Sequence, residues 1–125
     1  MLNTFNNFNI KNYSILSPEE IISDIILLDQ FSRNINRIIR NLDLIEYTNK
    51  AIQLSNKWIE KKYYLTCHIK WTVFAFLPIR HSKNKKQINR IIKLLEEIQS
   101  NNDLIAHDKI YQKFKLYTII QFKHL

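Results

Sequence analysis

The sequence predicts an all-α domain of about five antiparallel helices, and three observations lead to this fold class. The 125 residues contain no Gly and only two Pro, whereas hairpins and bulges of a sheet protein need Gly. Hydrophobic residues make up 46% and aromatic residues 12% of the chain, enough for a core and unlike a disordered composition. Apolar residues recur with helical spacing along most of the chain.

The N-terminal part of the chain divides into an arm and the start of a helical domain. Residues 1–16 are rich in Asn and lack a hydrophobic period, so we expect a flexible arm followed by one helical domain over 17–125. Ser17-Pro18-Glu19-Glu20 is typical of a helix start, with Ser as the cap, Pro in the first position and acids in the first turn. The first helix is predicted from Pro18 to Arg40. Its apolar stripe holds Ile21, Ile25, Leu28, Phe31, Ile35, Ile38 and Leu42.

Four further helices are predicted after the first. The second spans Leu42 to Lys61. The third, Tyr63 to Leu77, is apolar nearly all round, so it is expected at the centre of the fold and to end at Pro78. A polar loop over 80–84 precedes an amphipathic fourth helix from Lys85 to Ser100. A turn at 101–103 leads into a fifth helix from Asp103 to His124. Short polar connections favour antiparallel neighbours in a bundle or small superhelix.

Charge and cysteine content narrow the partners and the compartment. The formal charge is +8, with 14 Lys and five Arg. The residues that dominate the chain are written with AT-rich codons, so codon drift explains this charge better than nucleic-acid binding, which would favour Arg. The single Cys67 cannot form an intramolecular disulfide, which indicates an intracellular protein. Residues 1–17 lack a secretory signal pattern, and the apolar stretch 63–79 is short and carries charge, so no membrane span is expected.

Polar residues within apolar segments are the candidate functional residues. Asp29 and Arg33 are four residues apart on one helix face, where an ordinary ion pair is the plainest interpretation. His81 and Ser82 follow Pro78 in the predicted loop. His68 is expected to be a core histidine. No ligand spacing for a metal and no Gly-rich phosphate loop is present, so neither a metal nor a cofactor is predicted.

Two of these stretches resemble paired family signatures. Leu27-Leu28-Asp29-Gln30-Phe31-Ser32-Arg33-Asn34-Ile35 is similar to a segment L-L-D-Q-F-P-R-N-[IV], with Ser32 in place of proline. The segment from Leu77 to Lys83 resembles L-P-[LF]-x-H-S-E, with Lys83 in place of the acid. His107, Ile110 and Phe114 fit a weaker third element, without the glycine-arginine-phenylalanine-proline run that follows it. On these residues the chain resembles the family called domain of unknown function 924, as a divergent and N-terminally short member.

The resemblance implies a tetratricopeptide-like helical fold and a shared site at helix ends. Signatures about fifty residues apart are expected to meet, so the residues expected to bind a ligand across one cleft are Asp29, Gln30, Arg33, Asn34, His81 and Ser82. The first hypothesis is a non-enzymatic module that binds a protein or a small anionic ligand. The alternative is a hydrolase or transferase acting on a phosphorylated or carboxylated small molecule, with His81 and Asp29 as the candidate catalytic residues. Whether the protein is an enzyme stays open at this point.

A third hypothesis concerns the last predicted helix. Its aromatic and basic residues alternate, as in Tyr111, Lys113, Phe114 and Lys115. Such a pattern can stack on and neutralise RNA. More often it is an apolar helix face along which lysine stems lie. RNA binding is therefore the least favoured of the three functions.

Overall fold

The computed structural model describes residues 16–39 and 44–125, and all of the regular structure in these two stretches is helical. The predicted all-α class is confirmed. Most of the predicted N-terminal arm lies outside the described residues. Its last residue, Leu16, is partly buried and packs against the core, so this residue belongs to the packed domain rather than to the arm.

The first helical rod consists of three consecutive segments. These are α1 (Pro18–Ile25), a π-helical segment π1 (Ile26–Phe31) and α2 (Ser32–Ile39). The predicted start is confirmed: the Ser17 hydroxyl accepts a hydrogen bond from the Glu20 N–H (3.2 Å), and the Glu20 carboxylate accepts one from the Ser17 N–H (3.3 Å). This reciprocal capping box satisfies backbone donors that the first turn leaves open. The predicted end of the helix at Arg40 lies outside the described residues.

The second helix, α3 (Leu44–Glu60), carries a face that is fully buried. Ala51, Leu54 and Trp58 have no exposed surface. The Trp58 indole donates a hydrogen bond to the Thr72 hydroxyl (3.2 Å), which joins α3 to the centre of the fold. Ile45, near the start of the same helix, is 76% exposed. The predicted first residue of the helix, Leu42, lies outside the described residues.

The predicted single third helix is wrong, because the chain breaks at Cys67 and His68. A short helix α4 (Tyr63–Thr66) precedes α5 (Ile69–His81). His68 is exposed and caps α5: its Nδ1 accepts a hydrogen bond from the Lys70 N–H (3.0 Å). It is therefore not a core histidine. The sequence does not reveal this break, because the segment is apolar on both sides of it and His68 caps the helix through a backbone N–H that almost any residue would provide.

Pro78 lies inside α5 and does not end it. A proline removes one backbone donor from a helix and disfavours a helical conformation of the residue before it. Packing can outweigh the energetic cost of both effects. Here Pro78 and Ile79 are both buried, so the last turn is held against the core. Arg80 and His81 consequently project from an ordered helix rather than from the predicted loop.

The C-terminal part contains α6 (Lys85–Asn101), a 3₁₀ turn η1 (Asp103–His107) and α7 (Lys109–Lys123). The amphipathic α6 is confirmed and buries Ile88, Ile91, Leu95 and Ile98. The single helix predicted from Asp103 is wrong. The Asp108 carboxylate accepts a hydrogen bond from the Tyr111 N–H (3.0 Å) and starts α7 there, after the 3₁₀ turn.

Helix α5 is the centre of the packing, as predicted for the most apolar segment. It contacts α1, α3, α6 and α7. Its residues Ala75, Phe76 and Ile79 are almost completely buried. Because both signature segments pack here, the end of α5 is brought against the π1 segment. Among the helices of residues 16–39 and 44–125, none combines the length and apolarity needed to span a bilayer.

Candidate functional site

A buried carboxylate, Asp29, is the centre of the candidate site. Its side chain has no exposed surface. Its Oδ2 accepts a hydrogen bond from the Gln30 side-chain amide (2.7 Å), and its Oδ1 lies 3.0 Å from His81 Nδ1 and 3.4 Å from Arg33 Nε. Burying a carboxylate is costly unless it is hydrogen-bonded or paired, and these neighbours provide both.

The π1 segment places Asp29 in the interior. A π-helical turn holds one more residue than an α-helical turn, so the inward face moves along the sequence by about one residue. Leu28 and Asp29 are both buried, and Ser32 occupies the interior position predicted for Phe31. Phe31 is 36% exposed, and Ile38, also predicted inside, is 84% exposed. The predicted stripe is therefore wrong at Phe31 and Ile38, whereas Ile35 is partly buried and packs against the core. π-Helical insertions of this kind are frequent at functional sites.

His81 is oriented by Asp29. The residue is the last of α5, and its side chain is 30% exposed. The carboxylate can only accept, so Nδ1 carries the proton in this contact. The second ring nitrogen, Nε2, has no hydrogen-bond partner among the described residues and is available to a ligand. A carboxylate that fixes the histidine tautomer in this way is a common arrangement in acid–base and ligand sites.

Arg33 joins α2 to α3 across the site. Its Nε faces Asp29, and its Nη2 donates a hydrogen bond to the Thr48 hydroxyl (3.2 Å). The side chain is 31% exposed, so the guanidinium is fixed on one side and accessible on the other. The ion pair that the spacing of Arg33 and Asp29 indicated is present, with the Asp29 side chain fully buried. Because a guanidinium has five N–H donors, those that face outwards can still bind an oxyanion.

Arg33 and His81 line two neighbouring cavities. The larger has a volume of about 300 Å³. Apart from Arg33 and His81, its wall is uncharged: Leu44, Ile45, Thr48, Asn49, Ile52 and Ser82. The smaller has a volume of about 210 Å³ and adds Leu77, Arg80, Lys83 and Gln121 to Arg33 and His81. No carboxylate lines either cavity among the described residues, so both walls favour an anion.

Comparison of the chain with protein-family models connects this geometry to other proteins. The model of a family described as "Bacterial protein of unknown function (DUF924)" matches residues 5–124. The chain belongs to this family. Comparisons with curated proteins and with solved structures find no match.

Within this member of domain of unknown function 924, the two signature segments meet. Gln30 and Arg33 of the first segment each contact Asp29, and Asp29 contacts His81 of the second. Ser82 lines the larger cavity, although its hydroxyl donates to the Ile79 carbonyl. Asn34 is exposed and lines neither cavity, so it is the one predicted site residue that the structure leaves apart.

Sequence reasoning missed Thr48, Arg80 and Gln121. The Arg80 guanidinium donates a hydrogen bond to the Gln121 side-chain oxygen, and the Gln121 side-chain amide donates one to the Arg80 backbone carbonyl. The guanidinium also lies over the Phe114 ring, 5.2 Å from its centroid. Arg80 stands in the second signature and could have been considered, but the predicted loop gave it no fixed direction. Thr48 and Gln121 are isolated polar residues on amphipathic helices, where the sequence carries no sign of a tertiary contact.

Among the described residues, no group of three or more His, Cys, Asp or Glu side chains could hold a metal ion.

Proposed function

We propose that this domain is a non-enzymatic binding module for a small anionic ligand, held by Arg33 and His81. One observation carries the proposal. The fully buried Asp29 fixes both side chains, and both line the larger cavity. Side chains fixed before binding lose little conformational entropy when a ligand arrives, which favours affinity.

The charges around the cavity support an anion rather than a cation or a neutral ligand. The Asp29 carboxylate has no exposed surface, and its negative charge is paired with side chains of the protein itself. Arg33 and His81 present nitrogen atoms on their accessible sides. An oxyanion can accept from both, and charge-assisted hydrogen bonds of this type are the stronger ones.

A tetratricopeptide-like superhelix is the architecture we propose for this module. Consecutive helices pack side by side: α1 on α3, α3 on α5, α5 on α6 and α6 on α7, with α5 also against α1 and α7. Such arrays present grooves that bind extended partners. The anion could therefore also be an acidic side chain or a terminal carboxylate of a protein. An intracellular location is part of the proposal and rests on the single thiol of Cys67.

The test is an NMR titration with inorganic phosphate and with acetate. We expect saturable shifts that centre on His81 and Arg33. Arg33→Gln should abolish saturation, and Thr48→Val, which removes the hydroxyl that holds the guanidinium, should weaken binding while preserving the fold. Arg37→Gln is the matched control, because Arg37 is an exposed residue of the same helix α2. Equal loss of binding in Arg33→Gln and Arg37→Gln would reduce the effect to net charge and contradict the proposal.

The contact between His81 and Asp29 favours a second candidate, a hydrolase or transferase. Asp29 would position His81 through Nδ1, so that Nε2 could transfer a proton to or from the reacting group of the substrate. Arg33 would hold the phosphate or carboxylate. A panel of phosphorylated and carboxylated small molecules tests this activity. His81→Gln should abolish turnover while Arg33 still binds the anion. Turnover that persists in His81→Gln would exclude His81 as the proton carrier.

RNA binding through the last helix has less support. Tyr111 and Phe114, two of the aromatic residues of the pattern, are buried. The Tyr111 hydroxyl donates to the Leu95 carbonyl (2.7 Å), and burial raises the pKa of this hydroxyl. Neither ring is available to stack on a base. Of the pattern, Tyr117, which is 48% exposed, and the surface lysines of α7 are the groups that RNA could still contact.

A further inference from the structure

Arg80 is a half-buried cation without an acidic partner in the described part of the chain. Its Nε donates a hydrogen bond to the neutral Gln121 amide oxygen (3.0 Å), and no ion pair joins it to a carboxylate of the described residues. Burial lowers the pKa of its guanidinium. A buried charge is costly unless an opposite charge accompanies it. The cavity beside Arg80 is the place where such a charge can bind.

The smaller cavity collects the positive charge of the site. Arg33, Arg80, His81 and Lys83 line it together. Lys83 has a left-handed backbone conformation, with φ of 56°. This conformation directly follows the end of α5 and turns the chain beside Arg80. Non-glycine residues adopt it at a cost, and the local structure must hold them there.

The larger cavity differs from the smaller in chemistry. Of its wall, Leu44, Ile45 and Ile52 are apolar, and Thr48, Asn49 and Ser82 are neutral and polar. The two cavities meet at Arg33 and His81, which line both. One ligand could therefore place a charged end on one side of these two residues and an uncharged body on the other.

We infer that the ligand is a small amphipathic oxyanion, with its phosphate or carboxylate in the cavity of Arg80 and Lys83 and a short, largely apolar body in the cavity of Ile45 and Ile52. The inference rests on the proposed function and adds the ligand class to it. The charged end compensates Arg80, which pairs with no acid in residues 16–39 and 44–125. The body buries apolar surface against α3, where Ile45 is 76% exposed.

An NMR titration of the full chain with inorganic phosphate, methyl phosphate, hexyl phosphate and hexanoate tests the inference. Each methylene that is buried should tighten binding by up to about fourfold. Hexyl phosphate should therefore bind at least about tenfold tighter than methyl phosphate. Hexanoate distinguishes a carboxylate from a phosphate, and the anion that binds more tightly identifies the charged end.

Variants in each cavity separate the two halves of the site. Arg80→Gln should abolish binding of both alkyl phosphates. Because Arg80 packs on Phe114 and this variant can lose its fold, Lys83→Asn is the second test: Asn tolerates the left-handed conformation and removes the charge. Ile45→Asn should remove the advantage of the hexyl chain over the methyl group. Lys86→Gln, an exposed lysine outside both cavities, is the matched control.

The outcomes distinguish this inference from the proposed function. Equal affinity for methyl and hexyl phosphate would overturn the amphipathic ligand and leave anion binding intact. Unchanged binding in Lys83→Asn and in a folded Arg80→Gln would overturn the assignment of the charged end. Absence of binding by all four probes to the unmodified protein would overturn both proposals. Chain-length dependence that is lost in Ile45→Asn supports the inference.

Discussion

At the scale of single residues, the site depends on how Asp29 is satisfied. The carboxylate has no exposed surface and receives three donors, from Gln30, Arg33 and His81. Of these, Arg33 also reaches Thr48 on another helix, so it links the buried charge to the cavity wall. The arginine therefore contributes both to stability and to the proposed ligand site. Its sequence spacing alone indicated only an ordinary ion pair.

Arg33→Ala is expected to destabilise the protein. The change leaves Asp29 buried with one donor fewer, and breaking a pair of this kind costs several kcal/mol when it is fully buried and little when it is exposed. Because Arg33 is 31% exposed, we expect an intermediate loss of about 1–2 kcal/mol in the free energy of unfolding. That corresponds to a fall in melting temperature of roughly 3–8 °C.

Lys93→Ala provides the comparison for this prediction. Lys93 is exposed on the outer face of α6, and its replacement should change the melting temperature by less than about 2 °C, since isolated surface substitutions are close to neutral. Thermal unfolding followed by circular dichroism measures both variants. Small and equal shifts would show that Arg33 contributes no more than a surface residue. The argument that Asp29 needs it would then fail.

At the scale of secondary structure, the π1 segment determines which residues face inwards. The helical period of the sequence predicted the rod from Pro18 onwards, and the cap at Ser17 was readable because it depends on adjacent residues. The period cannot show whether the inward position after Leu28 is three or four residues later. Phe31 was chosen for its hydrophobicity, whereas the structure buries Ser32, whose hydroxyl donates to the Leu28 carbonyl. Contacts with the rest of the fold decide such a choice.

Deletion of Phe31 should convert π1 into a regular α-helical turn. One residue fewer removes the insertion and keeps α1 and α2 in their present register, while Asp29 turns away from His81. We expect a helical protein by circular dichroism with a lower melting temperature. In the NMR titration, the saturable phosphate shifts at His81 should disappear.

Phe31→Ala is the control for the deletion, because it shortens a partly exposed side chain and leaves the number of residues unchanged. This variant should retain phosphate binding within about twofold, as expected for a change at the surface. Phosphate binding that survives the deletion with unchanged affinity would show that the π-helical geometry is not needed. The proposed role of Asp29 in fixing His81 would then have to be abandoned.

At the scale of the whole molecule, the sequence predicted the fold class well and the tertiary contacts unevenly. The helical period and the absence of Gly are properties of the whole chain, so a wrong prediction at one helix does not change the predicted fold class. The meeting of Asp29 with His81 was inferred from two signature segments and is present. The contacts of Thr48 and Gln121 depend on which helix faces which, and this is decided by packing around α5. Pro78 shows the same limit, because burial of its turn outweighs its local preference.

The net charge of +8 leads to a last prediction, for nucleic acid. With Tyr111 and Phe114 buried, RNA cannot stack on these two rings, and exposed lysines such as Lys113 and Lys123 provide its main contacts with α7. Binding to a mixed single-stranded RNA pool, measured by fluorescence anisotropy, should therefore be weak and electrostatic. Raising the salt from about 50 mM to about 200 mM should reduce it at least tenfold, because released counterions drive such binding.

Two substitutions decide whether this RNA contact is more than charge. Lys113→Gln and Lys86→Gln remove one exposed positive charge each, from α7 and from α6. Non-specific binding should weaken to a similar, small extent in both, whereas a dedicated interface on α7 would respond to Lys113→Gln alone. Tyr117→Ala should have no effect on affinity at either salt concentration. A large loss in Tyr117→Ala, or binding that resists salt, would mean that bases stack on α7 and that RNA binding must replace the small-anion proposal as the leading function.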